Sequence, residues 1–524
     1  MSIQSSNITS GFIDLATYDE LEKYMYGCGD AVAYFVRTTC KSTWFTQVPV
    51  VLSNASGQPK FGQSWSVSIS RAGDYLLQTW LRVGLNQVKY FPATDAGSPE
   101  TFTRIRWTRN LMHNLIKECA ITFNDLVAAR FDNTHLDFWA AFTVPKGKQL
   151  AYNNMIGNTV ALTNCSAVGT AANGVSLPPD LDNLAGASLD DVVQKDGGPR
   201  VTYLNLPLPF FYSRDSGVAL PTAALPYNEM RINFTFADWR DLLIAERNVT
   251  DAAANQPYVK KFQDATRLAI GGAGTFGNTE PAFESVQVWA NYAIVSNDER
   301  KRMACAPRDI LIEQAQMASK VTVTPQTNTS QSIDLRLSHA IKVLFFAIQN
   351  ITHENEGSTY TTGSPQMGDL TACPLKFSGQ YQVDPLLRCS LVYENTNRLG
   401  QMGNDFFSQV NPYFTAPVVP EVSGYHCYSY SLDFICLDPM GSTNYGKLTN
   451  VSIVPEFTAL CQNAAKNNGT GSISLPPLSQ AGAVGPNNPQ SSGVQEQQKY
   501  KFVLTCVNNN IIRISGGALG FPVL

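Results

Sequence analysis

The sequence predicts an all-β chain: two β-sandwiches in tandem, with long surface loops and a few short helices. Three observations carry this reading. Segments of strict apolar–polar alternation recur from end to end, and each such segment buries one face and wets the other. Helical patterns are few and short. The stretch Ser296-Asn-Asp-Glu-Arg-Lys-Arg-Met303 interrupts two long tracts of strand pattern as one helical turn. Ser296 and Glu299 stand at the spacing of a capping box, and acid before base suits the helix dipole.

Near the N-terminus, Thr17 to Tyr26 predicts a helix with a Thr17/Glu20 capping box and Gly27 as its C-cap. Leu15, Tyr18, Leu21 and Met25 would share one face of it. Ser64 to Ser70 alternates without a fault. Arg71-Ala-Gly-Asp74 then reads as a turn, and Tyr75 to Val83 as the return strand of a hairpin. Asn133 to Phe142 reads as a helix whose aromatics Phe138, Trp139 and Phe142 pack on a barrel end. Val286 to Val295 is a strand leading into the hinge, and another begins at Ile310.

Beyond the hinge, Ser332 to Leu337 alternates again. Ile341 to Ile348 is apolar on nearly both faces, as in a strand held between two sheets. Tyr500, Phe502, Leu504 and Cys506 close the series. Four segments break the pattern: 153–202, 248–281, 350–373 and 458–499. The first and last contain no aromatic residue, and all four are predicted to lie on the outside. The organisation is therefore an N-terminal arm with a short helix over 1–26, a first β domain over 27–295, a hinge over 296–308 and a second β domain over 309–524. Sheets of many antiparallel strands must manage their edges, and two eight-stranded jelly rolls in tandem do so. An immunoglobulin-like pair satisfies the same pattern.

Composition narrows the function classes. The 524 residues include 44% hydrophobic and only 15% charged side chains, so the chain is globular, with a surface rich in Ser, Thr, Asn and Gln. A net charge of −4 lacks the basic excess that direct nucleic-acid packing demands. No apolar run approaches the length of a bilayer span, and the first residues carry neither the basic nor the apolar region of a secretory signal. Eleven scattered cysteines with no Cys-x-x-Cys predict reduced thiols rather than a disulfide framework. The nine Asn-x-Ser/Thr matches, Asn54, Asn248 and Asn468 among them, read as chance in an Asn- and Thr-rich chain.

Candidate chemistry is thin. Gly272-Ala-Gly-Thr-Phe-Gly277 matches a dinucleotide fingerprint, but Asn278-Thr-Glu-Pro281 cannot open the helix that would hold a pyrophosphate. His113, His135, His339, His353 and His426 stand in no metal-ligand spacing. His353-Glu-Asn-Glu356 reads as a solvated loop, and Asp190-Asp191 as a solvated acidic surface. Trp65 and Trp80 could stack a sugar, yet their neighbours alternate as core strands do. Arg300-Lys301-Arg302 reads as a salt-bridge set at the domain junction. No catalytic, cofactor or metal residues are predicted, and the chain is expected not to be an enzyme.

Several long strings carry a resemblance. They include Ser10-Gly-Phe-Ile-Asp14, Tyr18 to Met25, Lys41-Ser-Thr-Trp-Phe-Thr46 and Trp65 to Val83. Phe123 to Asp132, Ala223 to Met230, Asn297 to Met303, Asp438 to Gly446 and Arg513 to Leu524 complete the set. In these the chain resembles the major capsid proteins of large icosahedral DNA viruses, those of iridoviruses most of all. The resemblance implies a tandem double jelly roll that forms homotrimers. It also implies pseudo-hexagonal tiles that meet neighbouring capsomers, minor capsid proteins and vertex proteins over an inner viral membrane, without direct nucleic-acid contact. The expected location is the virion, assembled in the host cytoplasm. On this reading Leu15, Leu21 and Met25 anchor the arm beneath the tile, towards membrane or minor proteins, and Glu299, Arg300 and Arg302 clamp one barrel to the other. The alternative is a jelly-roll carbohydrate-binding protein or lectin.

Overall fold

The computed structural model describes residues 3–27, 29, 31–91, 102–163, 175–177, 192–193, 201–247, 259–262, 265, 268–270, 278–305, 307–362, 384–466 and 497–520. The chain divides into two compact units, 1–44 and 45–524. The matches at 272–277 and 190–191, and most of the insertions 153–202, 248–281 and 458–499, lie outside the described residues.

The first unit is helical at its start. Helix α1 spans Ile3–Ala16 and α2 spans Glu20–Met25. Asp19, not Thr17, caps α2, and Glu22 reaches back to the Asp19 N–H to complete the box. A carboxylate serves better than a hydroxyl here because the dipole favours negative charge at this end. Leu15 therefore sits on α1 while Leu21 and Met25 sit on α2, so the expected single face is split between two helices. The chain leaves α2 through Tyr26, and Gly27 takes no left-handed cap conformation.

The second unit begins with ten strands in two five-stranded antiparallel sheets. Their ranges are β1 Phe45–Val51, β2 Ser53–Ser56, β3 Ser64–Ser68, β4 Tyr75–Asn86, β5 Ile116–Phe123 and β6 Leu126–Phe131. Then come β7 Val192–Val193, β8 Val201–Pro207, β9 Met230–Phe236 and β10 Phe283–Val295. One sheet runs β1-β10-β4-β8-β7 and the other β2-β3-β9-β5-β6. The strands expected to form a hairpin, β3 and β4, thus belong to different sheets. Alternation reveals which face is buried but not which strand is the neighbour; here the 71–74 turn carries the chain over the top of the sandwich. Val67, Leu81, Val83, Leu85, Ile121, Ile232 and Val288 meet in the core between the sheets. Each such side chain contributes about 1.5–3 kcal/mol of burial. A bulge opposite Asn291 and Tyr292 leaves Leu77 without a register partner. It reverses the parity of β4, so Leu76 points inward and Leu77 is half-buried.

The second sandwich sets β11 Arg308–Met317, β18 Tyr500–Ser515, β13 Ala340–Asn350 and β16 His426–Ser429 in one sheet. Facing it are β12 Ile333–Asp334, β17 Val451–Phe457, β14 Leu386–Tyr393 and β15 Thr396–Gly403. Shorter strands extend the first of these sheets. The same device closes the same place in both halves. Asn124-Asp125 joins β5 to β6 and Glu394-Asn395 joins β14 to β15, each as two residues with positive φ. Such a turn matches strand twist.

Candidate functional site

The feature with the most buried chemistry is the seam between the two sandwiches. Helix α3, Asn133–Thr143, makes it. Asp132 caps the helix by accepting the His135 N–H at 2.9 Å. Phe138 and Phe142 then lie on the outer face of the second sandwich, not on a barrel end. Their rings stack on Phe345 at 6.1 and 5.3 Å. Val343, Phe345, Ala347, Val503 and Val507 complete this apolar layer. Strand β13 is indeed buried on both faces. Ile341, Leu344, Phe346 and Ile348 face the core, while the other face meets a helix rather than a second sheet.

A buried ion cluster crosses the same seam. Arg214, from the first sandwich, sends Nε 2.8 Å to Glu313 Oε2 and lies 4.1 Å over the Trp139 ring. Lys342, fully buried, donates to Glu313 Oε1 at 2.5 Å and to the Cys436 carbonyl at 2.6 Å. Both carboxylate oxygens are thereby paired, which is the condition for a charge to remain stable away from water. Beside them His135, Trp139, Arg214, Glu313, Gln314 and Val507 line a cavity of about 30 Å³, room for a water molecule. Burial lowers the His135 pKa to about 4, against the pull of Asp132 and with the help of Arg214.

A second network lies further along α3. His113 Nδ1 and Asp137 Oδ1 are 2.7 Å apart, and His113 Nε2 meets the Tyr152 hydroxyl at 2.7 Å. Asp137 Oδ2 accepts from Ser358 at 2.6 Å and Tyr360 at 2.8 Å. Burial, with Asp137 alongside, drives the Tyr360 hydroxyl well above its usual pKa, so it remains a donor. Arg106 pairs with Glu356, and the Gly357 N–H donates to Thr108 at 3.0 Å. Gly357 leaves room for the Asn114 side chain, which a Cβ there would displace. The described start of the 350–373 insertion is therefore not a solvated loop. Asn355, Glu356, Ser358 and Tyr360 are buried in the seam, where they tie the second half to the first.

The residues expected to clamp the barrels lie on or beside helix α4, Asn297–Cys305. Arg300 makes a double ion pair with Asp74, Nε–Oδ1 2.8 Å and Nη2–Oδ2 2.9 Å. That pairing holds the Asp74 carboxyl below its usual pKa. Asp74 belongs to the first sandwich, so Arg300 fixes the linker to one side only. Arg302 is exposed and makes no ion pair with a described residue, and Glu299 Oε2 is buried without a hydrogen-bond partner. The ion pairs that cross the seam, through Arg214, Glu313 and Lys342, join residues far apart in sequence. No periodicity marks such a cluster.

Other predicted features resolve plainly. Trp65 stacks among Phe234 and Phe236 in the first core, whereas Trp80 stacks on Trp289 in the opposite sheet. Among the described residues, no group of three His, Cys, Asp or Glu side chains could hold a metal ion. No described helix is long and apolar enough to cross a membrane. Leu15, Leu21 and Met25 are all exposed.

Two family models match the chain. "Major capsid protein N-terminus" covers residues 33–295, and "Large eukaryotic DNA virus major capsid protein" covers residues 299–520. The major capsid protein of Costelytra zealandica iridescent virus is 55% identical over 100% of both chains. That of Invertebrate iridescent virus 6 is 53% identical, again over 100% of both. That of Lymphocystis disease virus 1 is 42% identical over the same full extent. In fold, a chain of the PBCV-1 virus capsid superposes with a TM-score of 0.63 at 18% identity, covering 94% of this chain and 100% of that one. The Faustovirus major capsid protein gives 0.59 at 10% identity, covering 95% and 94%. The two sandwiches are thus a tandem double jelly roll. These likenesses lend a carbohydrate-binding reading no support.

Proposed function

The chain belongs to the major capsid proteins of large eukaryotic DNA viruses, and on that basis we propose that three copies close into a pseudo-hexagonal capsomer. Its function is structural and not enzymatic, and its place is the virion shell. The observation that carries the proposal is the seam. Two jelly rolls fixed side by side by apolar and ionic contacts present two similar sides per copy, so three copies present six. A heterologous contact closes into a ring when its rotation allows, and a permanent interface of this kind buries more than about 2,000 Å².

The finer partners follow from the same reading. Capsomers meet neighbouring capsomers laterally, and minor capsid and vertex proteins below and at the corners. An inner viral membrane lies beneath, and assembly takes place in the host cytoplasm. The net charge of −4 fits a protein kept from direct contact with the genome. The hinge 296–308 sets the spacing of domains 27–295 and 309–524, and the arm, through Leu15, Leu21 and Met25, engages another component of the particle. Size-exclusion with mass measurement on the recombinant chain tests the capsomer. A species of three times 57.3 kDa is expected, and a stable monomer at particle-forming concentrations would contradict it.

A further inference from the structure

The first unit holds an unusual amount of exposed apolar surface. In α1, Ile8, Phe12 and Leu15 fall at i, i+4 and i+7, one stripe of the helix. They are 64%, 68% and 73% exposed. In α2, Leu21 and Met25 form a second i, i+4 pair, also exposed. No described residue of the unit covers them.

The charges decide what does. Over residues 3–26, Asp14, Asp19, Glu20 and Glu22 stand against Lys23 alone, four negative and one positive, for a net −3. The side of α1 opposite the stripe carries Ser6, Ser10 and Asp14 beside the exposed Ile13, with no Lys or Arg. Helices that lie in a bilayer interface do the reverse and line their polar face with Lys and Arg, which attract anionic lipid. An acidic pair of helices would be repelled by such a surface. Spaced apolar anchors on a short helix instead suit a groove in another protein.

We infer that α1 and α2 dock in an apolar groove of a protein other than this chain. Ile8, Phe12 and Leu15 form the anchors, and Lys or Arg on the groove's rim faces Asp14 and Glu20. This rests on the reading of the arm as an assembly element, and it selects a basic-rimmed protein over a lipid surface.

The test uses the full chain in assembled particles, with the photo-crosslinker p-benzoylphenylalanine at Ile8. The expected adduct is a peptide of a different protein, with Lys or Arg flanking its apolar contact. Phe12→Asp, or Glu20→Lys, which leaves the Asp19–Glu22 cap intact, should lower the adduct yield about tenfold. The purified chain should not float with vesicles of phosphatidylcholine and phosphatidylserine. A lipid adduct, an adduct only to further copies of this chain, no adduct at all, or flotation abolished by Phe12→Asp would each overturn the inference. Removal of residues 1–26 separates the two levels. Normal particles from that variant would refute the arm's assembly role itself. Lost particles together with a lipid adduct would refute only the choice of partner.

Discussion

Arg214 reaches Glu313 across the seam, Nε to Oε2 at 2.8 Å, and so joins the first jelly roll to the second through a carboxylate that is almost wholly buried. Lys342 holds the other oxygen. Truncating one member leaves the others charged and unpaired, which costs about 3–5 kcal/mol for a buried pair. Arg214→Ala should therefore lower the denaturant midpoint of the purified capsomer by that equivalent. Arg300→Ala should cost less, because the Arg300 side chain is half exposed and Asp74 keeps the Val295 N–H. Equal losses from the two would mean that the seam cluster carries no special weight.

Phe345 is the apolar counterpart, stacked against Phe138 and Phe142. Phe345→Ala should cost about 3–5 kcal/mol through the cavity it opens. Cys427, fully buried in the same layer, should then react with a thiol reagent under conditions where the native chain does not. Unchanged protection of Cys427 would show that this layer does not keep the seam closed.

His135 makes the seam acid-sensitive. It is neutral and buried in the folded chain, with a pKa near 4, against an ordinary 6.5 when unfolded. Below pH 6.5 the unfolded chain takes up the proton first, so stability is intact above 6.5 and falls as pH drops towards 4. The full loss is roughly 3 kcal/mol. His135→Gln keeps a polar group beside Thr505 but cannot titrate. Its stability should decline less than the parent's over that window, as measured by denaturant midpoints at each pH. Parallel declines would remove His135 from the account.

Gly357→Ala places a methyl group where the Asn114 side chain stands. Displacing Asn114 breaks its bond to Ser358 and loosens the contacts from Ser358 and Tyr360 to Asp137. Faster proteolysis within this segment is expected. A change to Gly357→Ala with native resistance would show that the segment tolerates displacement.

Much of the fold could be read from alternation and turn residues, because each strand records its own burial. What alternation does not record is the neighbour. Strand β3 looked like the hairpin partner of β4, yet the two face each other across a core. The pattern of strand β13 shows burial on both faces, but nothing in it names the helix that covers the second face. Periodicity does not mark helix α1, because Ser, Asn, Thr and Gly weaken its local signal. The seam's charges were illegible for a plainer reason: Arg214, Glu313 and Lys342 come together only once both sandwiches exist.

The central claim is that one chain holds its two jelly rolls together as a fixed pair, so that three chains present six sides. Single-particle cryo-microscopy of the purified capsomer tests it most directly. The map should show six sandwiches in a pseudo-hexagonal ring, with Phe138 of each chain against Phe345 of the same chain and Arg214 on Glu313. Sandwiches separated at 296–308, or a particle without three copies, would contradict it.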